Sequence, residues 1–244
     1  MRIYHYLFLS GLSFFGSCGT DQEQAPVNLD GEYQVGPTIM AVGRPIRMYT
    51  KNGLVANEQE IGRFLSRNPW GAAAFNRADV PVGAGEPVLL TIKGNKQATL
   101  VYAASTRMET VKAEITARTD RYFVLSQLDS SRFLTSSNQH NRCAQLSEAV
   151  SLVQTGKRCG AAAPSTHSPF SQACRFRWVW VIGLENGRLF VPQLSSLVQV
   201  RNSFRSCGEA QGATWNVFNP AMLNQLAEGD TLVVQERTVS LTKK

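Results

Sequence analysis

The chain is poor in charge and in the short motifs that announce chemistry. Charged residues make up 18% of the 244 residues, and no run of five or more basic side chains occurs. Nucleic acid is therefore offered no continuous basic strip, and nucleic-acid binding is not expected. No C-x-x-C occurs, and His140 and His167 do not fall into ligand spacing, so no metal site is expected. No G-x-S-x-G surrounds Ser165 or Ser168. No glycine-rich phosphate loop stands between a strand and a helix, so no cofactor is expected. No repeat of fixed period appears, which speaks against solenoids and propellers. Hydrophobic residues at 43% mark a globular chain, and the formal net charge is +7.

The amino terminus carries the clearest signal. Met1-Arg2-Ile3 gives a short positive start, and Tyr4 to Phe15 is mostly apolar without Asp, Glu, Lys or Arg. Small residues follow at Gly16, Ser17, Cys18 and Gly19. This order describes an export signal over residues 1–17. The apolar stretch is shorter than the about 20 residues that span a bilayer. Its small-small-Cys ending resembles the lipobox of bacterial lipoproteins, with Phe15 where Leu is usual. The resemblance implies cleavage before Cys18, lipid on that cysteine and attachment to a membrane. Plain secretion after cleavage beyond Gly19 is the alternative. Loss of residues 1–17 removes only Arg2, leaving +6 on the mature chain. Residues 18–28 are polar and suit a flexible tether. Gly19 in place of Asp lacks the inner-membrane retention signal of that family, so the expected address is the outer membrane, on its periplasmic or surface face.

Once Cys18 takes lipid, an even set remains: Cys143, Cys159, Cys174 and Cys207. In an oxidising compartment this suggests two disulfides stapling loops in the second half. Three pairings are possible and the sequence does not choose among them; Cys143 with Cys159 and Cys174 with Cys207 is the one expected here.

Residues 29–244 read as one all-β domain, an antiparallel barrel or sandwich with one short helix. Strands are expected near Gly31, at Arg47–Thr50, Pro87–Ile92, Gln97–Ala103, Lys112–Arg118, Arg121–Leu125, Ala149–Gln154, Arg175–Leu184, Arg188–Val191, Ser195–Val200 and Thr231–Leu241. Asn52-Gly53, Gly94-Asn95 and Asn186-Gly187 are hairpin turns, because these residue types accept positive φ. Asn57 caps a helix whose Ile61, Phe64 and Leu65 share one face, and Asn68-Pro69 ends it. Residues 70–85 read as loop, and 129–174 as irregular. The run Leu29-Asp30-Gly31-Glu32-Tyr33 resembles the Gly-x-Trp opening of lipocalin-type barrels, with Tyr33 in place of Trp.

One constellation invites a function. Phe176, Trp178, Trp180 and Ile182 alternate, which puts them on one face of a single strand. They form either the core or an aromatic platform for a ligand; in a hollow barrel both hold, since inward residues line the cavity. Ser165, His167 and Ser168 lie between Pro164 and Pro169 and read as an exposed loop rather than a catalytic group. The expected function is a non-enzymatic cell-envelope lipoprotein that binds a small apolar molecule, a glycan or another envelope protein. A hydrolase assembled from loops and a structural envelope component are the alternatives.

Overall fold

A computed structural model describes residues 28–103, 108–136, 142–156, 158–161, 171–201 and 211–244. In chain order its elements are β1 (Gly31–Met40), β2 (Arg47–Thr50), β3 (Gly53–Val55), α1 (Glu58–Arg67), α2 (Pro69–Ala72), β4 (Val80–Pro81), β5 (Pro87–Lys93), β6 (Gln97–Ala103), β7 (Met108–Arg118) and β8 (Tyr122–Gln127). There follow β9 (Ser131–Ser136), α3 (Arg142–Ala149), β10 (Arg158–Ala161), β11 (Ser171–Phe176), β12 (Val179–Glu185), β13 (Arg188–Gln199), β14 (Gln211–Trp215), a 3-10 turn (Pro220–Gln225) and β15 (Thr231–Lys243).

Eight antiparallel strands, in the order β1-β5-β6-β7-β8-β12-β13-β15, close into a barrel. Closure comes from β15, which pairs with β13 along Thr231–Ser240 and with β1 along Thr238–Lys243. A closed sheet leaves no unpaired edge among its own strands. The β2–β3 hairpin continues the sheet beside β15, β14 lies beside β13, and β4 lies beside β1. A separate sheet of three strands, β10-β11-β9, stands apart from the barrel ladder.

The turn chemistry explains the hairpins. Gly94 and Asn95 hold φ of 60° and 51°, and Asn186 and Gly187 hold 50° and 74°. These are the left-handed conformations that tight hairpins demand and that Asn and Gly tolerate. Asn57 caps α1 as its position suggests, its Oδ1 accepting from the backbone N–H of Gln59 and Glu60 at 2.9 and 3.3 Å. Ile61 is buried against Ile46, Met48, Phe75, Leu197 and Val233, with Phe64 and Leu65 packed alongside.

Several expectations need correction. Arg175–Leu184 is not one strand: it breaks at Arg177-Trp178, with β11 in the small sheet and β12 in the barrel. Residues 70–85 are not all loop, since α2 runs into them and β4 falls within them. The irregular stretch contains α3 and the small sheet. Ala149–Gln154 is no strand; α3 ends there, and Ser151 makes a lone bridge to Phe218. Two expected pieces after Asn186-Gly187 are the single strand β13. It runs through Pro192, which falls in the gap between its pairing with β12 and its pairing with β14, a place where proline is tolerated.

β13 and β15 serve three packing regions. On their inner faces Leu189, Val191, Val239 and Leu241 join the barrel core. Further along the same faces, Leu197 and Val233 pack under α1 and α2. On the opposite faces Leu194, Val198, Leu232 and Val234 pack against α3 and the 3-10 turn.

Candidate functional site

The two ends of the barrel interior differ. One is filled by Leu90, Ile92, Leu100, Phe123, Leu125 and Ile182, each almost fully buried. The other opens into a cavity of about 710 Å³, within the size range of small-molecule sites. Five aromatic residues line it: Tyr102 from β6, Phe176 from the end of β11, Trp178 from the β11–β12 link, Trp180 from β12 and Trp215 from β14.

The break in the aromatic row is what builds this site. Trp180 and Ile182 belong to the barrel core. Phe176 is carried instead by the small sheet, and its ring meets Trp178 edge-on at 5.0 Å and 80°. Trp178 stays 49% exposed, a large apolar surface left in contact with solvent at the cavity wall. The three aromatics singled out from sequence thus meet at one cavity, although no single strand face holds them.

Below the aromatics lies a polar layer. Glu86, just ahead of β5, accepts a hydrogen bond from Trp215 Nε1 at 2.5 Å through Oε2. Burial raises the Glu86 carboxyl above its ordinary range, against the downward pull of Trp215 and of the Arg237 guanidinium. Burial also pushes the Tyr102 phenol up to about 12, with Glu86 adding to the effect. Arg237, 2% exposed, faces the barrel interior from β15; burial lowers its pKa, and Glu86 opposes that shift. Its Nη2 donates to Ser195 Oγ at 2.7 Å, while its Nε has no protein partner. Gln193 is the Cα partner of both Arg237 and Trp215, and neither polar atom of its side chain has a protein partner.

These polar residues were partly legible. Gln193 and Arg237 fall at the inward parity of β13 and β15, beside Val191 and Val239, so alternation alone marks them as polar groups in an apolar row. Glu86 carries no such mark, because its neighbours are assembled from β14 and β15, far along the chain.

Of the other expected site residues, Cys18 and Cys207 lie outside the described residues, as do His140, Ser165, His167 and Ser168. Cys143 sits on α3, and Cys174, fully buried, lies directly opposite Cys159 in the β10–β11 ladder. The pairing expected above, Cys143 with Cys159, does not follow this register. Among the described residues no group of three or more His, Cys, Asp or Glu is placed to hold a metal. Comparison of the chain with protein-family models, curated proteins and solved structures finds no match.

Proposed function

We propose that the protein is a non-enzymatic binding module of the cell envelope, held to the outer membrane by lipid on Cys18, and that the aromatic cavity at the barrel mouth receives a small molecule. The observation that carries the binding reading is the cavity itself: about 710 Å³, with Trp178 left half exposed on its wall. A concave site of this volume, open to solvent and lined by aromatic rings with a few polar groups, has the form of a small-molecule site. A barrel with one end packed keeps its stability there and leaves its mouth accessible to a guest.

Titration of the signal-free protein with 1-naphthylacetamide, followed by tryptophan fluorescence, tests the cavity. Saturable quenching that weakens in Trp178→Ala supports it; the absence of saturable quenching in the unsubstituted protein, in which Trp178, Trp180 and Trp215 all line the cavity, rejects it. Mass spectrometry of the native protein tests the anchor: a diacylated amino-terminal Cys18 is expected, and an unmodified start beyond Gly19 overturns it.

The oxidised state of the cysteines belongs to the same proposal. The register supports Cys159 with Cys174, since directly opposed residues of an antiparallel pair stand within the Cα separation that a disulfide spans. Cys143 with Cys207 is then the remaining pair. Non-reducing peptide mapping distinguishes this connectivity from the alternatives, and free thiols at all four positions would reject the oxidised state.

A further inference from the structure

Resting on the binding reading above, we infer that the cavity takes a neutral saccharide: a short oligosaccharide stacked on Trp178, with hydroxyls turned toward the polar layer of the barrel mouth.

Three observations point the same way. The first is the apolar surface. Trp178, braced edge-on by Phe176, offers a flat aromatic face at the cavity wall. Such a face suits the C–H side of a pyranose ring, which is apolar on its faces and polar around its rim. The second is the character of the remaining wall. Ser147, Ser151, Gln154, Thr155 and Thr214 add hydroxyl and amide groups, which donate and accept alike. A purely apolar guest would leave these groups dehydrated and unpaired, at a cost of roughly 1–3 kcal/mol for each group fully buried. A ring of hydroxyls matches them.

The third is the charge and hydrogen-bond state of the inner layer. Glu86 and Arg237 act on each other with opposite sign. An anionic guest meets Glu86, Glu109 and Glu148 on the lining, and a guest without acidic groups avoids that repulsion. Arg237 Nε and both polar atoms of Gln193 have no protein partner, although each residue is at least 98% buried by its exposure of 2% and 1%. The fold satisfies a comparable group elsewhere: buried Gln235 donates to the carbonyls of Arg44 and Asn76 and accepts from the Asn76 N–H. Gln193 is thus an exception that packing alone does not explain. It lies on the strand beside Trp215, whose indole is held by Glu86 at the cavity lining. Neither Gln193 nor Arg237 lines the cavity itself; their unpaired polar atoms mark the barrel interior behind the Glu86–Trp215 pair as polar rather than apolar.

The test uses the intact signal-free protein and calorimetric titration with maltotriose, cellotriose and chitotriose as neutral probes. The anionic trigalacturonate and 1-naphthylacetamide serve as comparisons. At least one neutral trimer is expected to bind. The anionic trimer should bind at least about tenfold more weakly, and Trp178→Ala should weaken binding of the neutral trimer by about tenfold, the equivalent of ~1.4 kcal/mol, with unchanged melting temperature. Glu86→Gln keeps the hydrogen-bonding shape and is expected to relax the discrimination against the anionic trimer. If 1-naphthylacetamide binds and no neutral trimer does, the saccharide inference fails while the cavity remains a binding site. If the anionic trimer binds as well as the neutral ones, selection by the carboxylates of the lining fails. If no probe binds, both readings fall together.

Discussion

The packed and open ends of the same barrel are built from the same strands, yet they follow different rules. At the packed end, inward positions are Leu, Ile and Phe at near-complete burial. At the open end, inward positions on β13 and β15 become Gln193, Ser195, Gln235 and Arg237. The first arrangement maximises buried apolar area, worth about 25 cal/mol for each Å² removed from water. The second gives up that gain: Gln235 and Ser195 are hydrogen-bonded, whereas Gln193 and the Arg237 Nε have no protein partner. The comparison teaches that the barrel draws its apolar stabilisation from the packed end.

Four substitutions probe the contrast, from the largest effect to the smallest. Leu100→Ala at the packed end should lower unfolding free energy by about 3 kcal/mol in a denaturant titration, through lost transfer energy and a cavity. Ligand affinity below the melting range should be unaffected; a parallel loss of affinity would show that the two ends are not separable.

Asp230→Asn tests how α3, whose Ser147 and Glu148 line the cavity, is pinned over the open end. Asp230 Oδ2 accepts from Arg142 Nη2 at 2.6 Å and from the Ala227 N–H at 2.8 Å, and Oδ1 accepts from the Arg201 N–H at 3.1 Å. Burial pushes its pKa up, but the Ala227, Arg142 and Arg201 contacts together hold it below the ordinary value. A lowered carboxylate pKa adds stability that is fully present above the unfolded pKa of about 4 and disappears as pH falls through the folded value. The substitution should cost roughly 2 kcal/mol at neutral pH. It should also flatten the acid side of the stability profile; an unchanged acid limb would remove Asp230 from the account.

Gln193→Leu should stabilise the protein by about 1 kcal/mol, because it replaces an unpaired buried amide with an apolar group of similar size. A loss of stability in a thermal melt would mean that the amide has a partner after all. Trp178→Ala should change stability by under about 0.5 kcal/mol, since its ring is half exposed, while weakening ligand binding about tenfold. A large drop in melting temperature would convert Trp178 from a binding surface into a core residue.

Much of the barrel was readable because its signals are local. Turn pairs such as Asn186-Gly187 need only two residues to declare a hairpin, and Asn57 needs only its own side chain to cap α1. The aromatic row was read as one strand because alternation does not show where a strand leaves one sheet for another. The switch after Phe176 depends on β9, which pairs with β11 across about forty residues of chain. α3 was missed because its apolar face is weak in sequence; Leu146 and Ala149 bury against β13, β15 and the 3-10 turn, partners distant along the chain. Glu86 was missed for a related reason, since its contacts come from strands over a hundred residues away.

The position of β15 sets the timetable of assembly. This segment lies between β13 on one side and β1 and β2 on the other, and its side chains enter all three packing regions. Until Thr231–Lys243 has been synthesised, the opening strand has no closing partner, and the cylinder stays an unzipped sheet with two sticky margins. Closure of the barrel therefore comes only when this strand is in place, and a chain lacking it would expose two unpaired strand margins to neighbouring chains.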